Sequence, residues 1–103
     1  MELLRFYSDF IIKDLEVLDY LKIEEAKLVL QYWHQSISSS ENINQTYITE
    51  LTQKTADKFN LKGKKIFYPL RAALYGSFNG PDLFTIISIL GIKEAKKRLE
   101  VYI

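Results

Sequence analysis

The chain has 103 residues, of which 48% are hydrophobic, and its formal net charge at neutral pH is +1. This length and apolar content suit one small domain with its own core. The absence of cysteine excludes disulfides and thiol-based nucleophiles or metal sites, and a single histidine leaves a zinc site without enough ligands.

Helical spacing dominates the first part of the chain. "FII" at residues 10–12 is the only strand candidate, and it is too short to build a sheet. Asp14 is placed to cap a short helix that carries Leu15, Leu18 and Leu21. Between residues 23 and 37 apolar residues recur every three or four positions, which predicts a second helix. "SISSSEN", residues 36–42, breaks the pattern and predicts a loop, because serine and asparagine compete for backbone hydrogen bonds.

The middle of the chain contains two more helical segments. The first ends near "NLKG", residues 60–63, where asparagine and glycine can adopt left-handed conformations. The second, between Lys64 and Gly76, contains Pro69, which predicts either a kink or a helix that begins at Pro69. The apolar face of the first segment is formed by residues four apart: Ile43, Tyr47, Leu51, Thr55 and Phe59.

Two short helices complete the chain. Pro81 is predicted to be the first residue of the fifth helix, where Asp82 favours the helix dipole. Gly91 ends that helix, and a final helix packs Ala95 and Leu99 while its lysines face solvent. The sequence shows no repeat and no heptad run. It predicts an all-α fold, a compact bundle of five to six short helices.

Basic and acidic residues are unevenly distributed along the chain. Residues 1–60 carry six Lys/Arg and ten Asp/Glu, whereas residues 61–103 carry eight and three. This asymmetry indicates a surface with a positive side, which suits an anionic partner such as RNA. The alternative is a set of ordinary solvated helix faces, which gives the same charges without any partner.

No pattern in the sequence predicts catalysis by this chain. The only histidine, His34, follows Trp33 on a predicted helix, where packing or surface exposure is its ordinary role. Glu24 and Glu25 are adjacent, so a helix turns their carboxylates about 100° apart. The glycines stand singly and form no phosphate-binding loop. We therefore predict no catalytic residue, no metal and no cofactor in the chain itself.

Three residues of the fourth helical segment share one face. Tyr68, Arg71 and Tyr75 lie three and seven residues apart, roughly opposite Leu70 and Leu74, so we expect this face to point outwards. Two rings beside a guanidinium are suited to stack on unpaired bases. An exposed amphipathic face with an arginine–tyrosine contact is the alternative.

A set of ordered motifs fills the stretch from residue 61 to residue 100. They are Gly-Lys-Lys at 63–65, Pro-Leu-Arg-Ala-Ala-Leu at 69–74, Gly76, Pro-Asp-Leu-Phe at 81–84 and Leu-Gly at 90–91. In this order and spacing they resemble the C-terminal anticodon-binding domain of bacterial glutamyl-tRNA synthetases. The family usually has threonine where this chain has Tyr75.

The start of the chain carries a further part of the resemblance. "LRFYSDF" and "DLEVLDYL" are similar to the stretch that joins the two helical anticodon-binding subdomains of the family. The resemblance implies one helical anticodon-binding domain over residues 1–103. Residues 1–13 would be the junction or the end of the preceding subdomain, and residues 61–103 the motif-bearing part.

The resemblance also implies which residues contact the anticodon. A helix that starts at Pro81 would present free backbone N–H groups, and a glycine before it would permit close approach of RNA. Leu83 and Phe84 have an alternative role as buried core residues. The implied anticodon contacts are Arg71, Gly80, Pro81, Leu83 and Phe84, with Tyr68 and Tyr75 as further candidates.

The expected partners follow from the same resemblance. The chain would be a C-terminal fragment of a cytoplasmic glutamate–tRNA ligase that uses ATP and Mg²⁺ in its other domains. It would recognise a glutamate tRNA, or both glutamate and glutamine tRNAs, and contact no membrane. A helical protein-interaction module without RNA binding is the alternative function. The basic residues expected to contact RNA phosphates are Lys64, Lys65, Lys93, Lys96, Lys97 and Arg98.

Overall fold

The computed structural model of the protein describes residues 12–38 and 43–103. The predicted junction at residues 1–13 falls almost entirely outside this part, so the division at the start of the chain stays a prediction. Within the described part there are six helices and no strand, which confirms the all-α prediction. The helices are α1 (Leu15–Leu21), α2 (Glu24–Ser38), α3 (Gln45–Phe59), α4 (Lys64–Tyr75), α5 (Leu83–Leu90) and α6 (Ile92–Val101).

Helix α4 is the centre of the bundle and contacts each of the other five helices. Its sequence is apolar on more than one side, because Leu70, Ala72 and Ala73 are all buried. The small alanines allow neighbouring helices to approach closely. As a result, α4 positions its own C-terminal turn, and the loop that follows it, relative to the rest of the core.

The indole of Trp33 joins α2 to α3 inside the core. Its Nε1–H donates a hydrogen bond of 2.8 Å to Oγ1 of Thr55, and that hydroxyl donates to the backbone oxygen of Leu51 at 2.7 Å. Both Trp33 and Thr55 are fully buried. A buried indole N–H without an acceptor would be costly, so this pair fixes the register between the two helices.

The start of α1 agrees with the sequence prediction, whereas the end of α2 does not. Asp14 caps α1 as predicted, because its Oδ1 accepts a hydrogen bond of 3.0 Å from the backbone N–H of Glu16. The predicted start of the loop at Ser36 is wrong, since α2 continues to Ser38. The hydroxyls of both serines donate to carbonyl oxygens four residues earlier and so remain compatible with the helix. The rest of the predicted loop, residues 39–42, lies outside the described residues.

Helix α3 is bounded by two asparagines. Asn44 accepts a hydrogen bond of 2.8 Å from the backbone N–H of Tyr47, and Asn60 ends the helix in the left-handed conformation with φ of 55°. The left-handed prediction for Asn60 is therefore confirmed. Gly63, also at positive φ, starts α4 rather than ending α3. The buried face consists of Ile48, Leu51 and Thr55, so the predicted stripe is correct in its centre and only half-buried at Ile43, Tyr47 and Phe59.

Pro69 lies inside α4, so the alternative in which the helix begins at Pro69 is wrong. Proline removes the N–H that would bond to the carbonyl of Lys65, which costs the helix one hydrogen bond. Burial of Ile66, Pro69 and Leu70 against the core offsets this loss. Helix α5 also starts later than predicted. Its first residue is Leu83 instead of Pro81, and Asp82 is its N-cap.

Candidate nucleic-acid interface

The loop of residues 76–82 connects α4 to α5 and contains most of the residues implied in anticodon contact. It begins at Gly76, whose φ of 78° is left-handed and whose N–H bonds to the carbonyls of Arg71 and Ala72 at 3.1 and 2.9 Å. This arrangement ends α4 and turns the chain back along it. The loop therefore lies over the last turns of the helix from which it emerges.

Arg71 connects α4 to the far end of this loop. Its Nε–H donates to the carbonyl oxygen of Pro81 at 3.3 Å, and its guanidinium carbon lies 5.6 Å from the ring centroid of Phe67. Within residues 12–38 and 43–103, the two terminal nitrogens of Arg71 have no hydrogen-bond acceptor. The side chain thus has a structural role through Nε, while its planar fork makes no hydrogen bond to the described part of the chain.

The predicted outward orientation of Tyr75 is wrong. Its side chain is only 5% exposed and belongs to the core, because the loop folds back and covers the last turn of α4. A methyl group at Gly80 would lie 2.8 Å from Cδ2 and Cε2 of the Tyr75 ring. Position 80 is therefore suited to glycine for a packing reason: the backbone of the loop rests directly on the tyrosine.

Tyr68 is half-buried in an aromatic cluster and is not an open platform. Its ring stacks on Phe78 with a centroid distance of 4.9 Å, and Tyr20 meets both rings edge-on at 6.3 and 5.2 Å. Burial raises the pKa of the Tyr20 hydroxyl, with smaller contributions from Glu25 and Tyr68. The cluster ties the loop to α1 as well as to α4. The prediction that two tyrosines flank Arg71 on an open surface is therefore wrong. The guanidinium of Arg71 lies over the ring of Phe67 instead.

Asp82 places a negative charge beside Arg71. The hydroxyl of Thr85 donates to its Oδ1 at 2.5 Å, and this hydrogen bond lowers the pKa of the carboxyl, with a smaller contribution from the positive charge of Arg71. The carboxylate is exposed and ionised at neutral pH. The start of α5 consequently presents an anion to solvent. This negative charge makes the start of α5 unsuited to bind a phosphate group.

The remaining implied anticodon residues differ in accessibility. The side chain of Leu83 is 3% exposed, so the core alternative describes it. Phe84 and Pro81 are half-buried, and Gly80 is exposed. The accessible set at this end of the molecule is thus Arg71, Gly80, Pro81 and Phe84.

A groove of about 350 Å³ lies between α3, α4 and α5, and two residues of this accessible set, Arg71 and Phe84, line it. Its α4 and α5 side is formed by Phe67, Arg71 and residues 82–84. Sequence reasoning missed the opposite side, because polar residues three and four apart on α3 look like an ordinary solvated face. Those α3 residues are Gln45, Thr49, Thr52 and Gln53.

Comparison with known proteins identifies this architecture. A family model described as "Anticodon binding domain" matches residues 3–103. The chain belongs to this family. Glutamate–tRNA ligase of Acholeplasma laidlawii is 33% identical over 100 residues, which cover 93% of this chain and 22% of that protein. The enzyme of the same name from Carboxydothermus hydrogenoformans is 32% identical over 94 residues, or 91% of this chain and 20% of that protein.

These matches cover most of this chain but only a small part of each relative. "Glutamate–tRNA ligase 1" of Caldicellulosiruptor saccharolyticus gives a further match, 30% identical over 97 residues, or 94% of this chain and 20% of that protein. The chain spans about a fifth of the length of the curated relatives it matches. The family membership favours the RNA-binding interpretation of the sequence over the protein-interaction module.

The lysines that were predicted to contact RNA phosphates lie on two surfaces of this anticodon-binding domain. Lys64 and Lys65 are exposed at the start of α4, where Lys65 lies 3.9 Å from Glu25 and Lys64 lies 5.9 Å from the Tyr68 ring centroid. On α6, Lys93 and Lys97 are exposed and Lys96 is half-buried. These five side chains keep the accessibility that phosphate contacts need, and the contacts themselves stay predictions.

The predicted exposure of Arg98 is wrong. The residue is 8% exposed, its Nε–H donates to Glu94 at 2.9 Å and its Nη1 donates to the carbonyl oxygen of Leu74 at 2.7 Å. The last carbonyls of a helix lack partners within the helix, and Arg98 supplies one to α4. This arginine therefore holds the domain together at the point where the loop begins, and it is not free for phosphate.

None of the six helices that the structure describes has the length and apolar character required to span a bilayer.

Proposed function

We propose that this domain binds the anticodon loop of a glutamate tRNA and so selects the tRNA for a glutamate–tRNA ligase. The observation that carries the proposal is the family match over residues 3–103, together with the glutamate–tRNA ligases among its relatives. The accessible arginine fork, the exposed Gly80 backbone and the adjacent groove support it. An anticodon is a single-stranded loop whose splayed bases can be stacked on and read at their edges.

The proposal assigns the chemical step to other domains of the whole ligase. ATP and Mg²⁺ would act there, and the chain described here would contribute recognition alone. The proposal locates the ligase in the cytoplasm, where charged tRNA is consumed by translation. A glutamine tRNA is a second candidate partner, so its anticodon stem-loop belongs among the probes.

Binding to a synthetic glutamate anticodon stem-loop is expected to weaken steeply as salt rises. Engagement of about three phosphates on a partly unpaired loop implies a slope of log affinity against log salt of roughly −2 to −3. Fluorescence anisotropy with labelled RNA over a series of KCl concentrations measures this slope. A flat response would contradict RNA binding through the basic surfaces.

A matched pair of variants locates the phosphate contacts. Replacing both Lys64 and Lys65 with glutamine is expected to make the slope shallower by about 1 to 2, since each lysine releases roughly one counterion. Lys54 and Lys58 provide the control, because they are exposed on the side of α3 that faces Tyr32 and line no part of the groove. An equal change in both double variants would show that the effect is one of net charge alone.

A further inference from the structure

We propose that the groove between α3, α4 and α5 holds one unpaired nucleobase, and that glutamine side chains of α3 read its edge opposite Arg71. This inference rests on the proposed function and extends it. The resemblance assigns anticodon contacts to α4, α5 and the loop between them. The α3 side of the groove is not among those implied contacts and is seen only in the structure.

The charges around the groove select the kind of group that it accepts. Among the described residues that line it, only Arg71 and Asp82 carry charged side chains, and their charges are opposite. Lysine is absent from this lining. A phosphate would meet the carboxylate of Asp82 with no excess positive charge to offset it. An uncharged group with hydrogen-bonding edges fits this environment better.

The apolar part of the lining fits a flat ring. This part consists of the buried Ile48 and Leu83 and the half-buried rings of Phe67 and Phe84. Aromatic side chains provide stacking surfaces for bases irrespective of base identity. The volume of about 350 Å³ lies at the small end of ligand pockets, which suits one base better than a longer segment.

The polar edge of the groove supplies the means of discrimination. Gln45, Thr49 and Gln53 lie four residues apart, so they form one row along α3. The Gln53 amide is oriented by a hydrogen bond of 3.1 Å from its Nε2 to Oδ1 of Asp57, which leaves its carbonyl oxygen as an acceptor. An amide presents donor and acceptor atoms together, as the edge of a base does. Gln53 is therefore the residue expected to contribute most to base selection.

The experiment combines a protein substitution with removal of single bases. Glutamate anticodon stem-loops are prepared with each loop nucleotide in turn replaced by an abasic one, and their affinities are measured by fluorescence anisotropy. For the unaltered chain we expect one abasic position to lower affinity by about 10-fold or more. Gln53→Leu is expected to lower affinity for the intact loop by about 10-fold. In the Gln53→Leu variant, the loss of affinity caused by that one abasic position should be about 10-fold smaller than in the unaltered chain.

Gln31→Leu is the matched control, because Gln31 is exposed on α2 and does not line the groove. It should leave every affinity unchanged. Thermal unfolding establishes that the variants are folded, and Gln45→Leu replaces Gln53→Leu if the latter is not. The inference is overturned if the substitution has no effect on affinity, or if its effect is the same at every abasic position. If the unaltered chain binds the anticodon stem-loop no better than an unrelated hairpin, the proposed function fails as well.

Discussion

Replacing Arg98 with alanine should lower the free energy of unfolding by about 3 to 5 kcal/mol, the largest effect expected of any charged residue in this domain. The substitution leaves the Glu94 carboxylate, whose side chain is 18% exposed, without the guanidinium that lies 2.9 Å away. It also deprives the Leu74 carbonyl of its buried donor. Both groups would lose their partners without regaining full hydration, which is why the cost exceeds that of a surface ion pair.

Urea denaturation followed by circular dichroism measures this change. Lys97→Ala is the matched control, because Lys97 is the adjacent residue on α6 and its side chain is exposed. That variant should stay within about 0.5 kcal/mol of the unaltered chain. Arg98→Ala with unchanged stability but weakened RNA binding would restore the phosphate-contact role that the sequence predicted.

Replacing Arg71 with alanine should weaken binding of the anticodon stem-loop by about 1 to 3 kcal/mol, as expected for a specific arginine contact. The same substitution removes the hydrogen bond from Nε to the Pro81 carbonyl, so stability should also fall by about 1 kcal/mol. Arg71→Lys should recover only part of the affinity, since lysine keeps the charge but loses the planar fork. Affinity and thermal unfolding are measured on the same preparations.

The loss of affinity and the loss of stability caused by Arg71→Ala can be separated by measuring binding at a temperature where both proteins are folded. If the guanidinium contacts RNA, the affinity loss should persist at a temperature where both proteins are fully folded. A variant that melts several degrees lower but binds normally when folded would assign Arg71 to loop anchoring alone.

The helices were predictable because their main signals are local. Apolar residues three and four apart specify a buried helix face in any bundle, and α2, α3 and α6 follow this pattern. The cap at Asp14 and the left-handed residue at Asn60 depend on neighbours within a few positions. The end of α2 was misjudged because a serine hydroxyl can bond either inside or outside a helix, and sequence alone does not decide between them.

The orientation of the site residues depended on contacts between distant parts of the chain. Tyr68 and Tyr75 are seven residues apart on one helix, yet the loop folds back so that Tyr75 is buried while Tyr68 is half-buried. Arg98 looked like part of a basic surface. A local signal for its burial was present, since it lies three residues after the buried Ala95 and four after Glu94. Its contact with the end of α4 bridges 24 residues and has no local signature.

The α3 side of the groove illustrates the same limit on local reasoning. Gln45, Thr49 and Gln53 form a polar row of the kind found on any solvated helix. Only the packing of α3 against α4 and α5 turns that row towards Arg71 and Phe84. The motifs of the family indicated where RNA contacts begin, and the tertiary structure adds the surface that faces them.

The central claim, that this domain recognises an anticodon loop at the groove beside Arg71, is tested most directly by amide chemical-shift mapping. The ¹⁵N-labelled chain is titrated with a glutamate anticodon stem-loop and, separately, with a hairpin that has the same stem and an unrelated loop. We predict that the anticodon loop alone shifts the amides of residues 45–53, 67–68, 70–71, 80 and 82–85, and leaves the exposed face of α2 around Gln31 unchanged. Equal shifts with both hairpins, or shifts confined to surfaces away from the groove, would contradict the claim.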